Sequence, residues 1–290
     1  MTPNRPISTI GLVPHRDRPV AQDLARRAAA WLQGHGLTVR VCAEDVEAGS
    51  LDDLVCGREE FAAGLDVAVS LGGDGTMLRT VDLVYESGAA VLGVNVGQLG
   101  YLTEVEPADL DRALERLVAG EFEVDERMVL DVTVGSHGSA GGRWWALNET
   151  VIEKSPGGRV VRLDVAINGT PFTTYVADGV IAATPTGSTA YSFSARGPIV
   201  SPRHRCLLLT PVSPHMLFDR SLVLDADEEV RFTVTDARTA VLTLDGRELG
   251  MLDVGDTVTC TGGPKPARIV TFGPRDFHQI LKAKFGLADR

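Results

Sequence analysis

A chain of 290 residues is too long for a single small module and suits one large or two modest domains. With 44% hydrophobic and 23% charged residues it can build a core, which excludes disordered and fibrous classes. Its net charge of −11 repels DNA and anionic membranes at long range, so no nucleic acid and no membrane is expected as a partner, whereas one local basic cleft for a phosphorylated small molecule is compatible with it.

From Pro6 to about Val124, short apolar runs alternate with segments of helical period, the pattern of βαβ units around a parallel sheet. Ser8 to Val13 predicts a first strand. Val20, Leu24, Ala28, Trp31 and Leu32 recur three and four residues apart, giving a helix with one apolar face that Gly34 and Gly36 stop. Leu37 to Val41, Val67 to Leu71 and Ala89 to Asn95 predict further strands. A helix opening near Pro107 sets Leu110, Ala113, Leu114 and Leu117 on one side and ends at Gly120.

After Glu123 the pattern becomes short β-rich runs broken by Gly, Ser and Pro: Met128 to Val134, Trp144 to Ile152, Val160 to Ile167 and Phe172 to Val176. Cys206 to Thr210, Glu229 to Thr235, Thr239 to Leu244 and Asp256 to Thr261 follow, so the second half reads as antiparallel sheet. Asn168-Gly169 between two runs is a hairpin signal, because both central residues of a type I′ turn need positive φ. Gly135 to Gly142 reads as an exposed loop, and Arg275 to Phe285 as a helix with Phe277, Ile280 and Leu281 in one arc. The expected fold is α/β plus β: an N-terminal Rossmann-like α/β domain over residues 1–124, a C-terminal β-sandwich-like domain over 125–274, and a helix in 275–290 that packs back on the first domain.

The sharpest local feature is the apolar strand Val67 to Leu71 running into Gly72-Gly73-Asp74-Gly75-Thr76. Strand, glycine loop and helix N-terminus together make a phosphate site, since glycines let backbone N–H groups approach oxygens and the helix adds unpaired donors. Asp74 is anomalous there. Either it acts chemically, or it fixes the loop through an Asx-type hydrogen bond or a helix cap. Gly93, Gly97 and Gly100 follow another strand and predict a second close turn beside the first, at the strand ends where open α/β sheets bind ligands. P-loop, protein-kinase and nucleophile-elbow signatures are missing.

Two further segments stand out. Ala177 to Ser194 is an apolar strand leading into Thr184, Thr186, Ser188, Thr189, Tyr191, Ser192 and Ser194, with small residues between them. It is either a directional hydrogen-bonding surface for a flat ligand, with Tyr191 able to stack, or a polar surface loop. Asn148-Glu149 interrupts an apolar run; these side chains either find partners inside the protein or face solvent. The histidines lack metal-ligand spacing, and no residue is expected as a protein metal ligand.

Gly72 to Thr76, Gly97 to Thr103, Asn148-Glu149, Asp178-Gly179, Thr184 to Ser194 and Ser213-Pro214-His215 resemble, in order and spacing, the motif series of the ATP-NAD kinases across nearly the whole chain. The resemblance implies an NAD site between an α/β and a β domain in a homodimer or homotetramer. The implied reaction moves the γ-phosphoryl of ATP, or in some members of polyphosphate, to the 2′-hydroxyl of the adenosine ribose of NAD, with a divalent metal, usually Mg2+. By position, Asp74 is the catalytic aspartate and Gly72, Gly73, Gly75 and Thr76 form the phosphate loop. Gly75 joins Asp74 at the NAD, Asn148 and Glu149 hold polar groups of the dinucleotide, and Asp178 lies on the nicotinamide side. Thr189, Ala190, Tyr191 and Ser194 fall in the strongest binding motif. Arg79 and Arg159 match ligand-facing positions or are solvated surface charges, and Ser213 and His215 match residues supplied by a neighbouring subunit.

Departures from the pattern are Gln98 where His is common, Tyr101 where Phe is common, Val176 where some members are basic, and Arg196 before Gly197 in place of a glycine pair. They bear on NAD against NADH preference and on donor choice. The competing readings are a lipid kinase of the diacylglycerol or sphingosine type, which shares the glycine loop, and a silent NADP(H)-binding regulator, which should lack the carboxylate. Cys42, Cys56, Cys206 and Cys260 are widely spaced and read as reduced, mostly buried thiols; with no secretory signal or membrane span in the sequence, the expected compartment is the cytoplasm.

Overall fold

The computed structural model describes residues 6–46, 51–97, 100–136, 141–155, 159–236, 240–274 and 276–287. Gln98, residues 137–140 of the expected loop, Thr239 and Arg275 lie outside the described residues. The chain divides into two units, one of Met1–Glu126 with Ala267–Arg290 and one of Arg127–Pro266.

The first unit begins with β1 (Thr9–Pro14), α1 (Pro19–Gly34), β2 (Thr38–Cys42), β3 (Val55–Cys56) and α2 (Arg58–Ala62). It continues with β4 (Val67–Gly72), α3 (Asp74–Val84), β5 (Ala90–Asn95), α4 (Leu110–Val118) and β6 (Glu123–Arg127). β4 and β5 are buried along their whole length, as expected for strands covered on both faces of a parallel sheet. Helix α1 buries Leu24, Ala25, Ala28, Ala29 and Leu32 on the sheet, and Gly36 past its end takes φ +78°. Val20, expected on that apolar face, is 57% exposed although Ala21 beside it is fully buried: the buried arc runs through Ala21, Leu24, Ala25 and Ala28, and Val20 lies outside it. The short β3 and α2 carry too few apolar residues for a periodic signal, yet α2 buries Phe61 completely.

Among the described residues the second unit has twelve strands: β7 (Leu130–Gly135), β8 (Gly142–Ala146), β9 (Glu149–Lys154), β10 (Val161–Ile167), β11 (Thr170–Ala177) and β12 (Gly179–Ala183), then, after a one-turn helix α5 (Tyr191–Ser194), β13 (Cys206–Val212), β14 (Leu222–Asp225), β15 (Val230–Val234), β16 (Ala240–Leu244), β17 (Arg247–Leu252) and β18 (Thr257–Gly262). They form two six-stranded antiparallel sheets, in the orders β11-β10-β15-β18-β7-β8 and β14-β13-β12-β9-β16-β17. Leu163, Tyr175, Phe232 and Val258 from the first and Ile152, Val180, Leu207 and Leu242 from the second share one buried core, the arrangement of a sandwich. The second sheet is also covered on its other face, where Val151, Ile181 and Leu208 pack with Ala195 and Val200, which is why β12 reads as an unbroken apolar run. Asn168 and Gly169 take φ +51° and +76° in the β10–β11 turn. The single expected strand Trp144 to Ile152 is instead two, β8 and β9, in different sheets, with Leu147-Asn148 as the break.

The chain then returns to the first unit as β19 (Ala267–Thr271) and α6 (Phe277–Phe285). Residues 267–271 fall in the range 125–274 expected for the second domain, with no strand expected there; as β19 they pair parallel with β5, completing a seven-stranded sheet of order β3-β2-β1-β4-β5-β19-β6. Lys284 of α6 lies 4.3 Å from the Tyr101 ring centroid. The order reverses direction at the β1–β4 pair, so the carboxyl ends of these two strands form the switch point of a doubly wound sheet.

Gly11 in the central β1 touches Phe61 so closely that an added Cβ would fall 2.5 Å from the ring. Gly11→Ala should therefore lower stability by about 1–3 kcal/mol, read as a fall in urea midpoint at constant m value. Gly34→Ala, with nothing near the added Cβ, should be neutral or stabilising.

Candidate functional site

In the first unit, β4 ends at Gly72, where an added Cβ would lie 2.1 Å from the Thr76 hydroxyl oxygen, so glycine is required for the loop to close this tightly. Helix α3 starts at once: the N–H groups of Thr76 and Met77 donate to the Gly73 carbonyl at 3.0 and 3.1 Å. The Asp74 and Gly75 N–H groups of the first turn have no intrahelical acceptor, and the positive end of the helix dipole adds to them. They open on a cavity of about 830 Å³ at the switch point, lined also by His15, Arg16, Arg18, Glu44, Asp45, Thr76 and Arg79. A phosphate chain fits this chemistry.

Asp74 is the first residue of α3, with Gly73 as the N-cap, so its side chain neither caps the helix nor makes the local Asx contact that the sequence left open. Its carboxylate instead accepts the backbone N–H groups of Tyr101 at 2.8 Å and Leu102 at 3.0 Å. An added Cβ on Gly100 would lie 2.2 Å from Asp74 Oδ1, so the second glycine loop closes around this carboxylate. Two charge-assisted bonds fix the group while leaving other lone pairs for a ligand hydroxyl. The Tyr101 phenol is pushed up by burial and, secondarily, by the Asp74 charge.

The cations around the cavity differ in freedom. Arg79, matched to a ligand-facing position, is held by its own chain: Nε bonds to Asp45 and Nη2 to Glu44 at 3.0 Å. Its hydrogen bond and charge hold the Glu44 carboxyl below the usual range. Arg18 donates to the Val96 carbonyl, tying the loop after β1 to the loop after β5. Arg16, Arg18, Glu44 and Asp45 escaped the sequence reading; the only available signal was that they directly follow β1 and β2.

In the second unit, Glu149 opens β9 and is only 6% exposed, with Asn148 half-buried beside it. One carboxyl oxygen, Oε2, is buried without a partner, while the Tyr191 backbone N–H bonds to the group. Burial, reinforced by the Asp245 charge, pushes Glu149 up to about 8. Asp178 is half-buried and pairs with Lys154 at 2.7 Å, and its charge, with those of Glu149 and Glu153, adds to burial in raising the Tyr191 phenol. Thr189 and Ala190 are half-buried, and Tyr191 and Ser194 are exposed.

Not every hydroxyl of this segment is available. Ser188 Oγ donates to the Val200 carbonyl and accepts its N–H, Ser192 Oγ pairs with Thr210 at 3.1 Å, and Thr184 donates to the Leu147 carbonyl. These three shape the loop. Arg159, Ser213 and His215 are exposed, and the His215 N–H donates to the Val176 carbonyl at 2.7 Å. Arg196 takes φ +67°, while an added Cβ on Gly197 would meet Ser192 at 2.3 Å. Asp245, which faces Glu149, was missed, although Asp245-Gly246 after a β run is a hairpin signal of the same kind as Asn168-Gly169.

Comparison with known proteins follows this division. Residues 10–122 match the ATP-NAD kinase N-terminal domain and residues 147–272 the ATP-NAD kinase C-terminal domain. An NAD kinase of Heliobacterium modesticaldum is 42% identical over 281 residues, covering 95% of this chain and 98% of that one. An NAD kinase of Syntrophotalea carbinolica is 36% identical over 286 residues, covering 97% and 99%. Among solved structures, an NAD kinase from Archaeoglobus fulgidus in complex with ATP superposes with a TM-score of 0.69 at 25% identity, covering 96% of this chain and 97% of that one. Yeast NADH kinase complexed with NADH shares the fold, with a TM-score of 0.87 at 24% identity over 99% and 90%.

The Glu149 environment sets a pH dependence. The unfolded glutamate loses its proton near the reference value of about 4.3, whereas the folded one keeps it to about 8. In that window the native state binds the extra proton, so stability falls as pH rises and levels off above it. Glu149→Gln should therefore gain melting temperature over the wild type progressively between about pH 5 and 8. A gain that is the same at both ends would contradict the buried protonated carboxyl.

Proposed function

The chain belongs to the ATP-NAD kinase family, and we propose that Asp74 orients the 2′-hydroxyl of the adenosine ribose of NAD in line with the γ-phosphorus of ATP. The protein is an NAD kinase, a phosphotransferase that uses ATP. The observation that carries the proposed role is the Asp74 carboxylate, fixed by two backbone N–H groups at the edge of a cavity that also presents free helix donors and arginines.

An aspartate, with a reference pKa of about 3.9, is a weak base for an alcohol. Phosphoryl transfer passes through a loose transition state in most analyses, so the hydroxyl proton can leave late and alignment supplies much of the benefit. Asp74 accepts that hydroxyl proton as the oxygen–phosphorus bond forms, and the leaving ADP takes the electron pair of the broken bond. The N–H groups of Asp74 and Gly75, with Arg16 and Arg18, stabilise charge on the phosphate oxygens. Gly72, Gly73 and Thr76 hold the loop in the shape that exposes these donors, and Arg79 acts through Glu44 and Asp45 as part of the wall.

A divalent ion, Mg2+, is proposed to arrive on the triphosphate. Mg2+ keeps waters and takes phosphate oxygens with one or two carboxylates. Asp74 is such a carboxylate, whereas the described residues hold no group of three or more His, Cys, Asp or Glu side chains that suits a protein-held metal. In the second unit Asn148, Glu149, Asp178, Thr189, Ala190, Tyr191 and Ser194 are proposed to bind NAD. The unpartnered Glu149 Oε2 supports this, since a dinucleotide hydroxyl or amine would satisfy it. Arg159 is proposed as a ligand-facing side chain, and Ser213 and His215 as residues supplied to the site of a neighbouring subunit; all three are exposed.

A homodimer or homotetramer belongs to the same reading; exposed Leu217, Phe218 and Phe172 give the second unit apolar surface suited to a subunit contact. A cytoplasmic location is supported by four unpaired cysteines, and no helix of the described residues is long and apolar enough to cross a membrane. The lipid-kinase alternative has no support in relatives that match both halves and are named NAD kinases, and the presence of Asp74 argues against a silent regulator.

Asp74→Asn should cut NADP formation at least about 100-fold while NAD binding by titration stays within a few-fold. Gly100→Ala, which drives a Cβ into the same carboxylate, should lower kcat more than it raises KM for NAD. Wild-type turnover in Asp74→Asn would refute the role.

A further inference from the structure

The segment Leu147-Asn148-Glu149 crosses from β8 to β9 with every backbone polar group occupied. One carboxylate, that of Asp245, accepts the N–H groups of all three residues, at 2.8, 2.8 and 3.0 Å. The Asp245 N–H in turn donates to the Glu149 carbonyl at 3.0 Å. On the other side, Thr184 donates its hydroxyl to the Leu147 carbonyl and its N–H to the Asn148 carbonyl, at 2.5 and 2.8 Å. Gly187 packs so closely that an added Cβ would sit 2.2 Å from that Asn148 oxygen. Asp245 itself takes φ +46° at the head of the β16–β17 hairpin, with Gly246 at +78°, a left-handed backbone that an aspartate or asparagine tolerates.

We propose that Asp245 is a positioning residue for the NAD kinase reaction: it clamps the Leu147–Glu149 turn so that the Asn148 and Glu149 side chains are presented to the dinucleotide. This rests on the reading that Asn148 and Glu149 bind NAD. With the backbone satisfied by Asp245 and Thr184, neither side chain is needed to hold its own loop, and the buried, unpartnered Glu149 Oε2 is the mark of that release. The charge of Asp245 also disfavours ionisation of its neighbour, which leaves Glu149 a hydroxyl hydrogen to give as well as oxygens to accept with. The other titratable group near Glu149 is the Tyr191 phenol; β12 and β16, which flank β9 here, carry no ionisable side chain.

The test is Asp245→Asn in the full chain, which keeps the shape and the left-handed preference but replaces one acceptor oxygen with an amine. Expected are a rise of about ten-fold or more in Kd and KM for NAD, kcat at saturating NAD and KM for ATP within a few-fold, and faster amide exchange at Leu147, Asn148 and Glu149. Loss of NAD binding on the alkaline side should also set in at lower pH than in the wild type, because Glu149 then ionises more readily; a purely structural defect would not move that limb. Wild-type NAD affinity with unchanged exchange at the three amides would overturn the proposal. Asn148→Ala and Glu149→Ala separate the two failures: if they leave NAD affinity intact, the assignment of the pocket is wrong, and if they weaken it while Asp245→Asn does not, only the clamp is wrong. Should Asp245→Asn not fold, amide exchange in the wild type decides, with protection at Leu147–Glu149 equal to that of β9 expected and loop-like exchange contradicting the clamp.

Discussion

A carboxylate at the positive end of a helix, bonded by the backbone N–H groups of Tyr101 and Leu102, is the constraint around which the first unit is arranged. Gly100 has no side chain because Asp74 occupies the space where one would stand, and Gly72 has none because Thr76 does. The loops after β4 and β5 are thereby fixed to each other at the switch point of the sheet. In the proposed role, a carboxylate held this way would lose little further freedom when substrate arrives, which would let a weak base serve as an aligner.

The same device recurs. Asp66 accepts the N–H groups of Ser8 and Thr9 at 2.8 and 2.9 Å and pins the start of β1, and Asp245 pins the turn before β9. Part of the acidic excess of this chain is therefore structural: carboxylates take the place of missing ladder partners where strands begin or loops cross. Near Glu149 that arrangement has a second effect, since one carboxylate placed to satisfy three amides makes its neighbour hard to ionise. Asp245 thus orders the backbone there and adds to the burial that already keeps Glu149 protonated.

The parallel strands and long helices were legible because their apolar periodicity is set by burial, and the glycine loop because its residue types admit few backbone shapes. β3, α2, β14 and β17 were not, being short or exposed, with no period to read. The placement of β19 depends on a contact with β5, more than 170 residues earlier in sequence, which no local pattern encodes. For the candidate site, the glycine loop and the motif order singled out Asp74, Asn148, Glu149 and Tyr191 as the residues to propose. It did not separate hydroxyls that face outward from Ser188 and Ser192, which serve their own loop, or show that Arg79 is committed to Asp45. Those distinctions follow from packing. Asp245 was hidden for a different reason: its role lies in three backbone amides nearly a hundred residues away.

The most direct test of the central claim is a crystal structure of the protein with NAD and a non-hydrolysable ATP analogue. The account predicts the adenosine 2′-oxygen within about 2.6–3.2 Å of an Asp74 carboxyl oxygen, with the Tyr101 and Leu102 N–H bonds retained and the 2′-oxygen in line with the terminal phosphorus. A complex in which that oxygen lies beyond hydrogen-bond reach of Asp74 while still facing the phosphorus would contradict it.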